Sequence, residues 1–386
     1  MLDPDHKNTI PLSTPFINGN EWQYLKECLD TGWVSSAGSY VTRFEETVAA
    51  YLGVRHAVAT VSGTAALHVS LAAAGVQAND EVVVPTLTFV ASVNVVRYCN
   101  AFPVFMDCDP DTLCVDVEKI IAFLENNCDR SENGLYNKKS GRRIKAIIPV
   151  HIFGHPVDLD NLINICNRSH IDIIEDATES LGSEYKGSKT GTLGRIGCLS
   201  FNGNKIITTG GGGMVVTNDK SLADRMRHLT TQARTDAFEY DHDLVGYNYR
   251  LPNINAALGV AQMEQLDSFL TNKRKNAQLY RELLSGLDAV EFLFEKPWAS
   301  NNFWFYTIKV PGRDRNPLMD YLLSQNIQVR PIWKLIHTLP LYREYEAYSI
   351  DQAEEVYARC INLPCSVNLK TKDIEYISKH ITKYFE

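Results

Sequence analysis

Five short, nearly all-apolar runs, set apart by helix-like segments, constrain this chain more than any other feature. They are Ala57 to Val61, Glu81-Val82-Val83-Val84, Val104-Phe105-Met106, Ala146-Ile147-Ile148-Pro149-Val150 and Ile171-Asp172-Ile173-Ile174-Glu175. A strand apolar on both sides needs cover on both sides, and strand–helix–strand crossovers provide it. The expected class is therefore α/β, with a mainly parallel sheet between layers of helices. Ala65 to Ala74 reads as one such helix, stopped by Gly75, and Asp158 to Arg168 as another. Earlier, Glu21 to Leu29 carries Trp22, Leu25 and Leu29 at i, i+3 and i+7, with Asn20 available as its cap and Gly32 after its end. The polar stretch Asn126 to Arg143 reads as a surface insertion between elements.

After Met214-Val215-Val216-Thr217 the pattern changes. Helical segments over Asn253 to Leu270 and Lys273 to Leu284 lead into mixed strands (Phe303 to Val310, Ile327 to Arg330) and helices (Leu318 to Leu323, Asp373 to Tyr384). This predicts a smaller α+β domain, with residues 1–260 forming the large domain and 261–386 the small one. A chain of 386 residues suits that division, because single cores stop growing well before this length. The net charge of −8, without a long basic run, argues against a nucleic-acid partner. No apolar stretch approaches the ~20 residues of a membrane helix, and Met1 to Ile10 is polar, so a cytoplasmic location is expected. The nine cysteines are scattered, without CxxC, and no His pair sits at zinc spacing; they read as reduced thiols, with no metal site.

Three segments carry chemistry. In Ser200-Phe201-Asn202-Gly203-Asn204-Lys205, followed by Gly210 to Gly213, a lysine stands between a strand-like run and a glycine-rich turn. An amine held close to backbone and partly desolvated loses basicity and can attack an aldehyde; the competing reading is a surface lysine before a flexible loop. Ser62-Gly63-Thr64 lies where a strand turns into a helix, and N–H groups exposed there bind phosphate, or Ser62 or Thr64 merely caps the helix. Glu175-Asp176-Ala177-Thr178-Glu179 follows an apolar strand, at the edge where parallel sheets bind ligands, although acids also favour a helix N-terminus.

In chain order these are a phosphate cradle, an acid for a ring nitrogen and an aldehyde-binding lysine. With Thr31-Gly32-Trp33-Val34-Ser35 and Gly246-Tyr247-Asn248-Tyr249-Arg250-Leu251, they make the chain resemble, from Pro11 to its C-terminus, the DegT-like sugar aminotransferases of pyridoxal-phosphate (PLP) fold type I. The resemblance implies a PLP cofactor held as a Schiff base on Lys205. It further implies phosphate contacts from Gly63, Thr64 and Ser200, Phe89 stacked on the ring, Asp176 at the ring nitrogen and Glu179 near the phenolic oxygen. Asn202 joins the expected cofactor contacts. Asn248 is expected to reach the phosphate of a neighbouring subunit, which requires a homodimer. Trp333, Lys334, His337 and Arg250 are the expected substrate contacts. Two departures stand out: relatives often have Gln or His in place of Glu179, and Gly-Glu-Gly-Gly where this chain has only glycines.

The segments at 19–22, 30–36 and 149–156 look closest to the legionaminic-acid branch. That likeness implies ping-pong transfer from L-glutamate, through the pyridoxamine form, to C4 of a UDP- or GDP-linked 2-acetamido-4-keto-6-deoxyhexose for cell-surface glycans such as lipopolysaccharide. Alternatives are a free keto-sugar acid such as an oxidised octulosonate, or a non-catalytic PLP-binding regulator. A PLP-dependent sugar dehydratase is disfavoured because those relatives place His where Lys205 stands. A nicotinamide oxidoreductase lacks its G-x-G-x-x-G between first strand and helix.

Overall fold

The computed structural model describes residues 9–132, 134–236 and 238–386, so the polar N-terminal segment lies, up to Asn8, outside the described residues. The main sheet is built on seven strands: β1 (His56–Thr60), β2 (Glu81–Pro85), β3 (Phe102–Met106), β4 (Arg143–Ile147), β5 (Asp172–Asp176), β6 (Ile196–Ser200) and β7 (Gly213–Thr217). Their order is β1-β7-β6-β5-β4-β2-β3. From β6 to β3 every pairing is parallel; β7 runs antiparallel to both neighbours, which leaves β1 aligned with the rest. The expected α/β class with a mainly parallel sheet is what the chain builds.

The near-continuous apolar runs follow from burial on both faces. In β1, Val58 enters one core while Ala57 and Ala59 enter the other; in β7, Val215 and the pair Met214 and Val216 divide in the same way. That alternation is the two-residue period of a strand, with no face left for water. Leu67, Val69 and Leu71 of the Gly63–Ala73 helix cover the first face. Phe44 and Val48 of Ser39–Leu52 and Val260 of Asn253–Met263 cover the second. A second, antiparallel sheet follows, in the order Glu291–Phe292, Tyr306–Lys309, Cys360–Leu363 and Arg330–Pro331. Backbone pairing stitches the two parts at several places, among them Ala299–Ser300 against Glu184–Tyr185. Ile10 bridges to Ile327, and Ala347–Tyr348 adds a parallel strand to β3 at the edge of the main sheet.

Several expectations are corrected. Asn126 to Arg143, expected as a surface insertion, carries regular structure: Cys128–Ser131 and Gly134–Asn137 form a hairpin that pairs onto the start of β4. The helix expected over Asn253 to Leu270 breaks at Glu264-Gln265, and the next one, Leu266–Leu284, runs through the expected gap. The break puts both side chains to use: the Glu264 carboxylate accepts from Asn20 (2.8 Å) and the Tyr24 hydroxyl (2.7 Å), and Gln265 donates to Glu21 (2.9 Å). Those bonds also invert the first helix, Glu21–Thr31. Asn20 makes no side-chain cap. The helix buries Glu21 and Cys28, while Trp22 and Leu29 of its apolar stripe remain 77% and 59% exposed. Among the described residues, no helix is long and apolar enough to cross a membrane.

Candidate active site

Every parallel strand of the main sheet delivers its C-terminal end to the same edge, and one cavity of about 290 Å³ opens there. β1 turns into the Gly63–Ala73 helix through Ser62, whose hydroxyl accepts from Ala65 N–H at 3.0 Å. The capping reading and the cradle reading therefore hold together. Ser62 satisfies one free N–H of the first turn, while Gly63 and Thr64, whose own N–H groups start the helix, line the cavity. Space dictates the glycines around this turn. A Cβ on Gly213 would lie 2.4 Å from the Ser62 carbonyl carbon and 2.6 Å from Gly63 N, and one on Gly63 would lie 2.9 Å from Ser200 Cβ.

Asp176 ends β5. Its backbone is gripped from both sides, Asp176 N–H to Pro149 O (2.9 Å) and His151 N–H to Asp176 O (3.1 Å). Oδ2 accepts from the Ser92 hydroxyl at 2.6 Å and Oδ1 from Thr178 N–H at 3.1 Å. Directly behind it, the buried Glu175 carboxylate accepts from Gly191, Leu193 and Gly194 N–H and meets His151 Nε2 at 2.9 Å. Because His151 Nδ1 accepts from Val157 N–H, its proton sits on Nε2, facing Glu175. A stiff scaffold thus holds the carboxylate that faces the cavity.

The loop bearing Lys205 leaves β6 and closes on itself: Phe201 N–H bonds Gly212 O and Thr209 N–H bonds Phe201 O, both at 2.9 Å. Phe201, fully buried, anchors it against Phe44, with ring centres 4.9 Å apart. The Lys205 amine lies 3.7 Å over the Trp304 ring and 4.0 Å from Glu179 Oε1. Trp304 is itself fixed, its indole N–H donating to Asn204 O at 2.6 Å. Burial holds the Lys205 amine below its ordinary basicity, against the pull of Glu179 and Asp176. Burial also pushes the Glu179 carboxyl up to about 7, against the Lys205 charge and a 2.7 Å bond from Phe153 N–H.

The structure brings Gly63, Thr64, Phe89, Asp176, Glu179, Ser200, Asn202, Lys205 and Trp333 to this one cavity. Arg250 is held elsewhere, by the Glu45 carboxylate (2.5 Å) and near Ala59 O. His337 is engaged by the Thr86 hydroxyl at 2.6 Å, and Lys334 is exposed outside the cavity. Asn248 is exposed as well and lines no part of its own chain's cavity: Tyr247 and Tyr249 stack 4.9 Å apart beside His68, and Asn248 lies between them in the extended run bridged to Thr231. Sequence reasoning missed Ser92, Thr178, Asn204 and Trp304 as wall residues. Thr178 and Asn204 were legible as neighbours of Asp176 and Lys205; Trp304, a hundred residues on, carried no local signal.

The cavity suits a flat aromatic ring bearing a phosphate. It offers a helix start at one end, a fixed carboxylate, the exposed Phe89 ring and, deeper, an amine. Fold and site together define a PLP-dependent aminotransferase. The sequence profile of the DegT/DnrJ/EryC1/StrS aminotransferase family matches residues 15–382, and the chain belongs to that family. It is 39% identical to the GDP-perosamine synthase of Escherichia coli O157:H7, covering 97% of this chain and 98% of that one. It is 38% identical to EpsN, a putative pyridoxal phosphate-dependent aminotransferase of Bacillus subtilis, covering 94% and 92%. Among solved structures, Helicobacter pylori PseC, an aminotransferase of pseudoaminic acid biosynthesis, superposes with a TM-score of 0.88 at 25% identity, covering 98% of this chain and 99% of that one.

Proposed function

We propose that the chain transfers an amino group from L-glutamate to C4 of a nucleotide-linked 4-keto-6-deoxyhexose destined for a cell-surface glycan. The observation that carries this reading is the meeting of Gly63, Asp176, Ser200 and Lys205 in a single cavity. Gly63 and Thr64 N–H groups and the Ser200 hydroxyl would hold the cofactor phosphate. Phe89 would lie on the ring, Asp176 would keep the ring nitrogen protonated, and Glu179 and Asn202 would flank the ring. When bound, the cofactor supplies the electron sink that lets an amino acid lose its α-proton. Lys205 moves that proton, and its fixed position contributes more than its basicity does. The relatives named as GDP-perosamine synthases favour a GDP handle, and the likeness to the legionaminic-acid branch favours a 2-acetamido sugar. Trp333, at the cavity wall, is the substrate contact we retain; Lys334, His337 and Arg250 would need a neighbouring subunit or substrate to bring them in. The nine free cysteines support a reducing, cytoplasmic setting.

The test is a half-reaction. The pyridoxamine-loaded protein is mixed in turn with GDP-4-keto-6-deoxymannose, a UDP-linked 2-acetamido-4-keto-6-deoxyhexose and a free keto-sugar acid. Return of the pyridoxal absorbance is expected with a nucleotide-linked ketone alone. Turnover with the free acid alone would replace the nucleotide reading, and colour without turnover on any ketone would leave a PLP-binding regulator.

A homodimer with shared sites belongs to the same proposal. Trp22, Leu29, Trp33 and Val34, on the first helix and the turn after it, are all exposed, and large apolar side chains left in solvent favour an interaction surface. Asn248 is exposed as well, and would complete the cofactor site of the second copy. Mixing Asn248→Ala with Lys205→Ala protein is expected to restore up to about a quarter of wild-type activity, because a mixed dimer regains one intact site in the binomial share of copies. Mixtures no more active than their separate components would remove Asn248 from the partner's site.

A further inference from the structure

The proposed function leaves one step open: how a largely buried lysine that must be uncharged to attack carbonyl carbon sheds its proton. Glu179 Oε1 is 4.0 Å from the amine, the Trp304 ring 3.7 Å, and Asp176 acts from farther off. Asp176 is committed to Ser92 and Thr178. Glu179 Oε2 accepts a short bond from Phe153 N–H, and Oε1 faces the amine. Around Glu179 stand Lys205, Asp176 and the Cys114 thiol, which burial keeps protonated by raising it to about 12. The indole N–H of Trp333 is buried without a hydrogen bond, yet lies near enough to favour the ionised carboxyl.

We propose that Glu179 is the proton partner of Lys205: its carboxylate takes one proton from the ammonium to give neutral amine and neutral acid, and returns it when the amine is next released. No net charge enters or leaves the cavity. The transfer requires the amine to close the 4.0 Å gap to hydrogen-bonding distance. Two observations make the exchange feasible in both directions. Burial lowers the amine's basicity and raises that of the carboxyl toward neutrality, so their proton affinities converge. The Trp333 N–H can also follow the carboxyl's charge, having no other partner. A glutamine at this position could neither accept the proton nor balance the ammonium.

The inference rests on Lys205 being the nucleophile, and the experiment separates the two claims. Full-length protein freed of cofactor is labelled with trace acetic anhydride across pH 5 to 10, and acetylation of Lys205 is followed by peptide mass spectrometry. In Glu179→Gln, the loss of the carboxylate is expected to move the Lys205 midpoint to lower pH, with roughly 3- to 10-fold faster labelling near pH 7, one pKa unit being tenfold. Glu179→Asp, which keeps a carboxylate, is expected to restore most of the wild-type profile. The visible-absorbance titration of the cofactor-loaded protein should move in the same direction, a readout that a merely structural role would leave unshifted. Superimposable wild-type and Glu179→Gln profiles would overturn the pairing while sparing Lys205. Absence of any titrating Lys205 label in either protein would remove the nucleophile and the pairing with it.

Discussion

Lys205→Ala protein is expected to lose turnover by at least 10²- to 10⁴-fold, roughly the contribution of a positioned proton-transfer group, before its covalent role is counted. Borohydride treatment of the cofactor-loaded wild type should fix a mass adduct on the peptide bearing Lys205, and the variant should give none. The same change is expected to leave thermal stability unchanged or slightly raised. The wild-type amine is confined between the Trp304 ring and the Glu179 carboxyl, where burial opposes its charge. Desolvating an ionisable group costs stability that removal of the group returns. High stability joined to lost catalysis is the signature of a side chain kept for chemistry at the expense of packing. An alanine variant that retains turnover and the trapped adduct would end the assignment. One that melts far below wild type would make Lys205 a structural residue.

What could be read in advance, and what could not, divides along a physical line. β1, β2 and β3 were legible because strands buried on both faces leave few polar residues inside the run, whereas β4 carries Arg143 and Lys145 and starts three residues before the apolar run expected there. The lysine, Asp176 and the Gly63 turn were legible because each sits beside the strand end that positions it, so sequence neighbours carry the signal. The first helix misled for the opposite reason. Its apolar stripe, Trp22 and Leu29, faces outward, while Glu21 is buried by bonds from Gln262 (2.6 Å) and Gln265 (2.9 Å), residues about 240 positions away. No periodicity within the helix could show that. Trp304 was invisible on the same account: it reaches Lys205 only because Asn302 ties the crossing segment to the carbonyls of Glu179 and Leu181, each at 3.0 Å. Arg250 shows a motif residue drawn to a structural role, since Glu45 takes its guanidinium together with that of Arg227. The hairpin at Cys128–Ser131 and Gly134–Asn137 escaped notice because its outer strand is largely polar, as an edge strand can be.

Asp176→Asn is expected to lower turnover on the order of 10²-fold or more, the scale seen when one preorganised electrostatic partner is removed from a reacting group. The substitution nearly conserves shape, so the scaffold argument predicts that the fold survives. Asp176 N–H and C=O remain bonded to Pro149 and His151, and Glu175 still holds the loop behind. What changes is polarity. The carboxylate accepts from Ser92 and Thr178 and still presents acceptor capacity to the cavity. An asparagine has one accepting oxygen. If that oxygen serves Thr178, the amide NH₂ turns toward the ring nitrogen, where it can neither accept a proton's hydrogen bond nor stabilise positive charge. The ring would then stay unprotonated and withdraw electrons poorly. The expected pattern is therefore a fall in kcat with a melting temperature close to wild type and a weaker hold on cofactor, measured by steady-state kinetics alongside cofactor release on dialysis. Unaltered kcat in a variant that retains cofactor would show that the carboxylate is only an anchor for Ser92 and Thr178. In that case the sheet edge would have been built around a hydrogen-bond hub, and the acid of this site would have to be sought elsewhere in the cavity.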